Sequence, residues 1–193
     1  MKPSAFKHVK NIEYFEFEED FVEEGIRCIP MIVRFKLDKA GIKLKLNEWA
    51  KFNVDEKVRL ALLECNEEEE IKKYNQFVSN LIRCYTNKEA TVLAIDINPA
   101  WNNKVKIPSE LLEKVLEFDN IINNEQWSSL TVLQRFALLK LCRSNHENKN
   151  LPIAPAPKGN AHYYSLEVLI YVFASPIKKA KMAKKYYFNT KVS

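Results

Sequence analysis

The sequence predicts an all-α protein, and three observations carry that reading. Apolar residues recur at three- and four-residue steps through most of residues 29–143. Residue pairs that can cap a helix start recur just ahead of those stripes. A helical stretch at 29–63 also recurs about 78 residues later, at 107–141, which predicts two related helical units forming one domain. The shift superposes Ile29-Pro30 on Ile107-Pro108, Lys36 on Lys114, Trp49 on Trp127, Val54 on Val132 and Leu60 on Leu138, with Lys57 opposite Arg135. Only 3 of the 193 residues are Gly, which disfavours tight β-turn architectures and glycine-rich phosphate loops.

Ile12–Glu18 alternates and predicts a short extended N-terminal arm, with Phe15, Phe17 and Phe21 packed on the helical body. Asp20 and Glu23 signal a helix start and Gly25 its stop. Pro30 suits the first position of the next helix, where its missing N–H costs nothing, and Gly41 suits a left-handed cap behind Ala40. Val33, Leu37 and Ala40 make the inner stripe, and Arg34 and Asp38 are spaced to pair. Trp49 and Phe52 belong to a turn. Asn53 and Glu56 make a capping box for a helix with Val54, Val58, Ala61 and Leu62 inward.

Residues 66–85 carry the clearest amphipathic pattern, with Glu67–Glu70 at the dipole's positive end and Glu68 and Glu69 four residues ahead of Lys72 and Lys73. Thr91–Ile97 reads as helix rather than strand. The second unit then buries Leu111, Leu112, Val115, Leu116 and Phe118, holds Trp127 in a turn and repeats the capping box with Thr131 and Gln134. VLQRFALLKLCR (132–143) is apolar almost all round and reads as the central helix. Its charges need partners, and the acids of the N-terminal arm are available. Residues 1–150 therefore read as the helical domain. Residues 151–193 read as a Pro-rich linker, a short apolar segment and a Lys-rich tail.

Charge excludes less than it first suggests. The net charge is +5, yet 158–193 alone holds seven Lys against Glu167. The main domain is close to neutral, so nucleic-acid or membrane-surface binding is an alternative only for the tail. No apolar run is long enough for a membrane helix. Met1–Lys10 lacks an apolar core, so no secretory leader is expected, and Cys28, Cys65, Cys84 and Cys142 read as free thiols of a cytoplasmic protein.

No nucleophile elbow, dinucleotide fingerprint or phosphate loop is present. His146-Glu147 begins an HExxH pattern, but Asn150 replaces the second His, so neither a metal nor any other cofactor is expected. Cys28 beside Arg27, ahead of a helix, has the setting that activates a thiol. Arg27, Cys28, His146 and Glu147 would make a small-ligand or enzymatic pocket if the fold brought them together. Arg34, Lys36, Asp38, Lys43, Arg135, Arg143, Asn148 and Asn150 complete the set of candidate partner-binding residues.

Two stretches resemble a known family. FEFEEDFVEEGIRCIPMIVRFKLDKAGIKLKLNEW (15–49) and QWSSLTVLQRFALLKLCRSNHENKN (126–150) are similar to the nitrate reductase associated proteins, a bacterial family prominent in cyanobacteria. The resemblance covers Phe15–Asn150, and the chain departs from the family pattern at Leu151. It implies a role beside nitrate reduction or its molybdenum cofactor supply, with nitrate reductase or a maturation factor as partner. It brings no catalytic residues. The sequence thus points to a non-enzymatic accessory protein and leaves the oligomeric state open.

Overall fold

In the computed structural model of the chain the described residues are 9–10, 12–13, 15, 28–116 and 121–143. The Ile12–Glu18 arm, apart from Ile12, Glu13 and Phe15, the helix expected after Asp20, Phe118 and the whole segment from Ser144 on lie outside them. The chain divides into two compact units, Met1–Asn98 and Pro99–Ser193. The division falls between the two similar stretches.

The first unit is built on α1 (Met31–Ala40). Pro30 precedes it as the N-cap, one position earlier than its fixed φ suggested. Gly41 ends it in the left-handed conformation at φ 69°, its N–H reaching back to Leu37 and Asp38. Asn75 Nδ2 donates to Ala40 O at 2.7 Å, which serves another carbonyl of the open helix end. A short helix, α2 (Leu46–Trp49), carries Trp49 inward, fully buried. The Asn53–Glu56 capping box opens α3 (Val54–Leu62), with both reciprocal bonds at 2.8–2.9 Å.

The inward face of α3 differs from expectation. Lys57, Leu60 and Ala61 are buried, whereas Val54 and Leu62 are exposed. The helix is rotated because the Lys57 stem is itself apolar and packs inward, a behaviour that a hydrophobicity count misses. Helix α4 (Glu68–Thr86) closes the unit, burying Tyr74, Val78, Leu81 and Ile82, and ends at Asn87 with φ 54°. Glu68 pairs with Lys72 at 2.8 Å, as its spacing suggested, and Glu69 also reaches Lys72, at 3.6 Å.

Thr91–Val92 is not helical. It forms β2, antiparallel to β1 (Ile42–Lys43), with Ile42 opposite Val92 and Lys43 opposite Thr91. The Gly41 turn leaves an extended edge behind α1, and a β-branched pair follows the end of α4 closely enough to bond to it. Helix α1 packs against α4, α3 and β1, so it is the spine of the unit.

In the second unit a 3-10 turn (Ala100–Asn102) buries Trp101. Helix α5 (Ser109–Leu116) buries Leu111 and Val115. Leu112 and Leu116, expected inside, stand exposed. An eight-residue helix can turn only one stripe inward, and Leu111 and Val115 occupy it. Helix α6 (Asn124–Ser129) holds Trp127, fully buried, with its indole N–H on Asn103 O at 2.8 Å. Thr131 and Gln134 form the expected reciprocal cap. Helix α7 (Val132–Arg143) packs on the 3-10 turn and α5 and buries six consecutive or near-consecutive positions from Leu133 to Leu139.

Candidate functional site

Buried cations mark both units. In the first, the Lys36 ammonium donates at 2.6 Å to Ala61 O and at 2.6 Å to Leu63 O. It therefore ties α1 to the carbonyl end of α3, where a positive charge is favoured by the helix dipole. Burial pulls its pKa down, and the nearby Cys65 and Glu64 oppose that shift. The Cys65 thiol sits beneath, donating to Lys36 O at 3.7 Å, and burial pushes its pKa up. Lys57 lies with its ammonium 5.4 Å from the centre of the Trp49 ring. Burial lowers its pKa, and Glu56 partly offsets this.

In the second unit the cation is Arg135, fully buried on α7. Its Nε donates to Trp101 O at 2.7 Å and its Nη1 to Leu130 O at 2.6 Å. The guanidinium carbon stands 5.7 Å from the centre of the Trp127 ring. Trp101 meets Phe136 edge-on at 5.1 Å, which completes an aromatic surround. The partner expected for this charge was a carboxylate. The described residues instead supply two main-chain carbonyls and a π face, and Nη2 has no acceptor.

The other candidates separate clearly. Arg34 is exposed and donates to Ile29 O at 2.9 Å. Lys43 is exposed on β1 and Asp38 is half-buried on α1. Cys28 is half-buried against the first unit's core. Arg143 is exposed and paired with Glu110 at 2.7 Å. Arg27, His146, Glu147, Asn148 and Asn150 lie outside the described residues, and with them the pocket that would join Arg27, Cys28, His146 and Glu147. All four cysteines are free. Among the described residues no cluster of metal ligands occurs, and no helix is long and apolar enough to cross a membrane.

Lys57 and Trp101 were missed as chemically important residues. Lys57 could have been found, because the same shift that pairs the tryptophans places it opposite Arg135. Trp101, in a polar loop, carries no such signal.

Several apolar side chains of the second unit stand at its surface. Val105, Leu116 and Ile121 are 81%, 63% and 70% exposed, and Leu112 is partly so. Val105 and Leu112, with Ile107 and Ile122, line a shallow groove of about 510 Å³, edged by Lys106 and Asn123. A second groove of about 470 Å³ runs beside α3, between Val58, Arg59, Leu62 and Leu63.

These features define a helix-rich protein whose buried polar groups hold helices together and whose helices leave apolar side chains at the surface. The profile of the conserved nitrate reductase-associated proteins matches residues 14–156, and the chain belongs to that family. The match runs to Ala156, past the point where the chain was expected to depart from the family pattern. Neither the curated proteins nor the solved structures searched contain a match.

Proposed function

We propose that the chain is a non-enzymatic accessory protein of nitrate assimilation that binds a protein partner, nitrate reductase or a maturation factor, in the cytoplasm. The family match over residues 14–156 carries this reading. Val105 and Leu112 line one groove, and Leu116 and Ile121 are further exposed apolar side chains of the same unit, which favours a protein surface as the thing bound, since apolar residues gathered at a surface mark interaction sites. Arg34, Lys43 and Arg143 are exposed polar residues, Arg34 bonded to Ile29 O and Arg143 paired with Glu110. Lys36 and Arg135 support packing.

The test is co-purification of the full chain from a host grown on nitrate, with Leu116→Glu and Arg34→Glu as surface variants. Recovery of nitrate reductase or a maturation factor with the unaltered chain, reduced by Leu116→Glu at unchanged thermal stability, supports the reading. Recovery of the chain with no component of nitrate assimilation overturns it.

We also infer that the two units descend from one duplicated helical element, residues 29–63 and 107–141. Each contains a fully buried Trp, a capping box four residues on and a buried cation over the Trp ring at the fourth helical position. The domain boundary at 150 and the tail's independence are further parts of this proposal.

A further inference from the structure

We propose that the outward face of α3 is an interface on which a second copy of this chain packs, antiparallel, about a two-fold axis at Val58. The starting point is a helix with apolar residues on two sides. Lys57, Leu60 and Ala61 face the core of the first unit. Val54, Val58 and Leu62 recur every four residues on another side. Val54 and Leu62 are 38% and 43% exposed, and Val58 is half-buried. Residues at four-residue steps form one ridge along a helix, and two such ridges interlock when helices cross. Val58 and Leu62 also border the groove beside α3.

Charge identifies what covers this face. Asp55 and Arg59 stand on the next ridge, both exposed and both lining the groove. Their spacing would let them pair within the helix. The Arg59 guanidinium instead stands 4.6 Å from the centre of the Phe77 ring, and the Asp55 carboxylate has no ion pair among the described residues. The pattern is self-complementary. A two-fold axis at Val58 that reverses the helix direction sets Leu62 of one copy against Val54 of the other. It also brings Asp55 to within about 3 Å, along the helix axis, of the level of Arg59 of the second copy. Both charges then lie on the same side of the interface, and the pair forms twice. A parallel two-fold arrangement would put them on opposite sides, so the charges select the antiparallel one.

Size sets the strength. Helix α3 has nine residues and is therefore about 14 Å long. Contact through it falls short of the roughly 800 Å² per partner of a standard interface. The association is therefore weak and reversible, roughly in the hundred-micromolar range. This inference is independent of the accessory reading: it concerns copies of the chain and a face of the first unit, and its failure leaves partner binding untouched.

The test is sedimentation equilibrium of the full chain from about 10 to 500 μM, where a monomer–dimer equilibrium is expected. Asp55→Arg and Arg59→Asp should each weaken it by roughly tenfold or more, because either reversal sets like charges against each other twice. Mixing the two variants should restore association, since each then meets the opposite charge on the other. Leu62→Glu should abolish it at unchanged thermal stability. A chain that stays monomeric throughout overturns the proposal. So does a dimer that Leu62→Glu leaves intact, or one that the mixture of charge variants fails to restore.

Discussion

The Lys57 ammonium rests 5.4 Å from the centre of the Trp49 ring, and both side chains are buried. Two opposing terms act on it. Attraction to the ring is worth about 1–2 kcal/mol in a desolvated place. Burial of the charge works against folding and is visible as the lowered pKa. Lys57→Met keeps the stem and removes both terms, so its stability at neutral pH should stay within about 1 kcal/mol of the parent. Lys57→Glu places a carboxylate in the same position and should cost about 3–5 kcal/mol. Urea unfolding of the three proteins checks the order. Because the folded pKa lies below the unfolded 10.5, the unfolded chain binds more protons between them, and Lys57 makes stability rise with pH across that interval. The Met variant should lack that component.

Tyr74 acts in the opposite sense. It is buried, its hydroxyl donates to Leu60 O at 3.1 Å, and burial raises its pKa well above 10.0, with Cys65 adding to the shift. Its contribution is complete below pH 10.0 and is lost as pH rises further, because the unfolded phenol ionises there and the folded one does not. Tyr74→Phe should flatten this alkaline loss and cost about 1 kcal/mol at neutral pH. Tyrosinate absorbance followed through an alkaline titration should show one tyrosine ionising only with unfolding.

Lys36 closes the end of α3, so Lys36→Met should strand Ala61 O and Leu63 O at a cost of about 1–3 kcal/mol. The loss should appear as a lower urea midpoint.

Gly41 holds the left-handed cap, and its carbonyl accepts from Leu93 N–H at 2.8 Å. A Cβ there would lie 3.0 Å from Ile95 Cγ1, which can move, and 3.2 Å from Leu93 O, which is backbone. Gly41→Ala should therefore cost at least about 1–2 kcal/mol. Hydrogen exchange of the Leu93 amide should quicken in the same variant.

Thiol labelling should follow burial. Cys84, exposed on α4, should react first, and Cys28 and Cys142, half-buried, more slowly. Cys65, 2% exposed and with its pKa raised by burial, should react only on unfolding. Alkylation followed by peptide mass analysis gives the order.

The sequence by itself determined what depends on neighbours along the chain. The Asn53–Glu56 and Thr131–Gln134 caps, the Gly41 stop and the Glu68–Lys72 pair all stand where their spacing put them, because each interaction closes within one helical turn. Trp49 and Trp127 were legible as core from rarity and register. The family was legible from residues 15–49 and 126–150. Tertiary structure alone decided which apolar residues face inward. Val54, Leu62, Leu112 and Leu116 satisfy a helical stripe yet stand outside, because the facing elements choose the buried arc and a lysine stem can fill it. It alone turned Thr91–Val92 into a strand, since the partner edge lies some fifty residues earlier in the chain. The role of Arg135 was decided there too: its carbonyl partners, Trp101 and Leu130, depend on how the 3-10 turn and α7 pack. A sequence shows that a buried charge must be answered, and the fold shows by what.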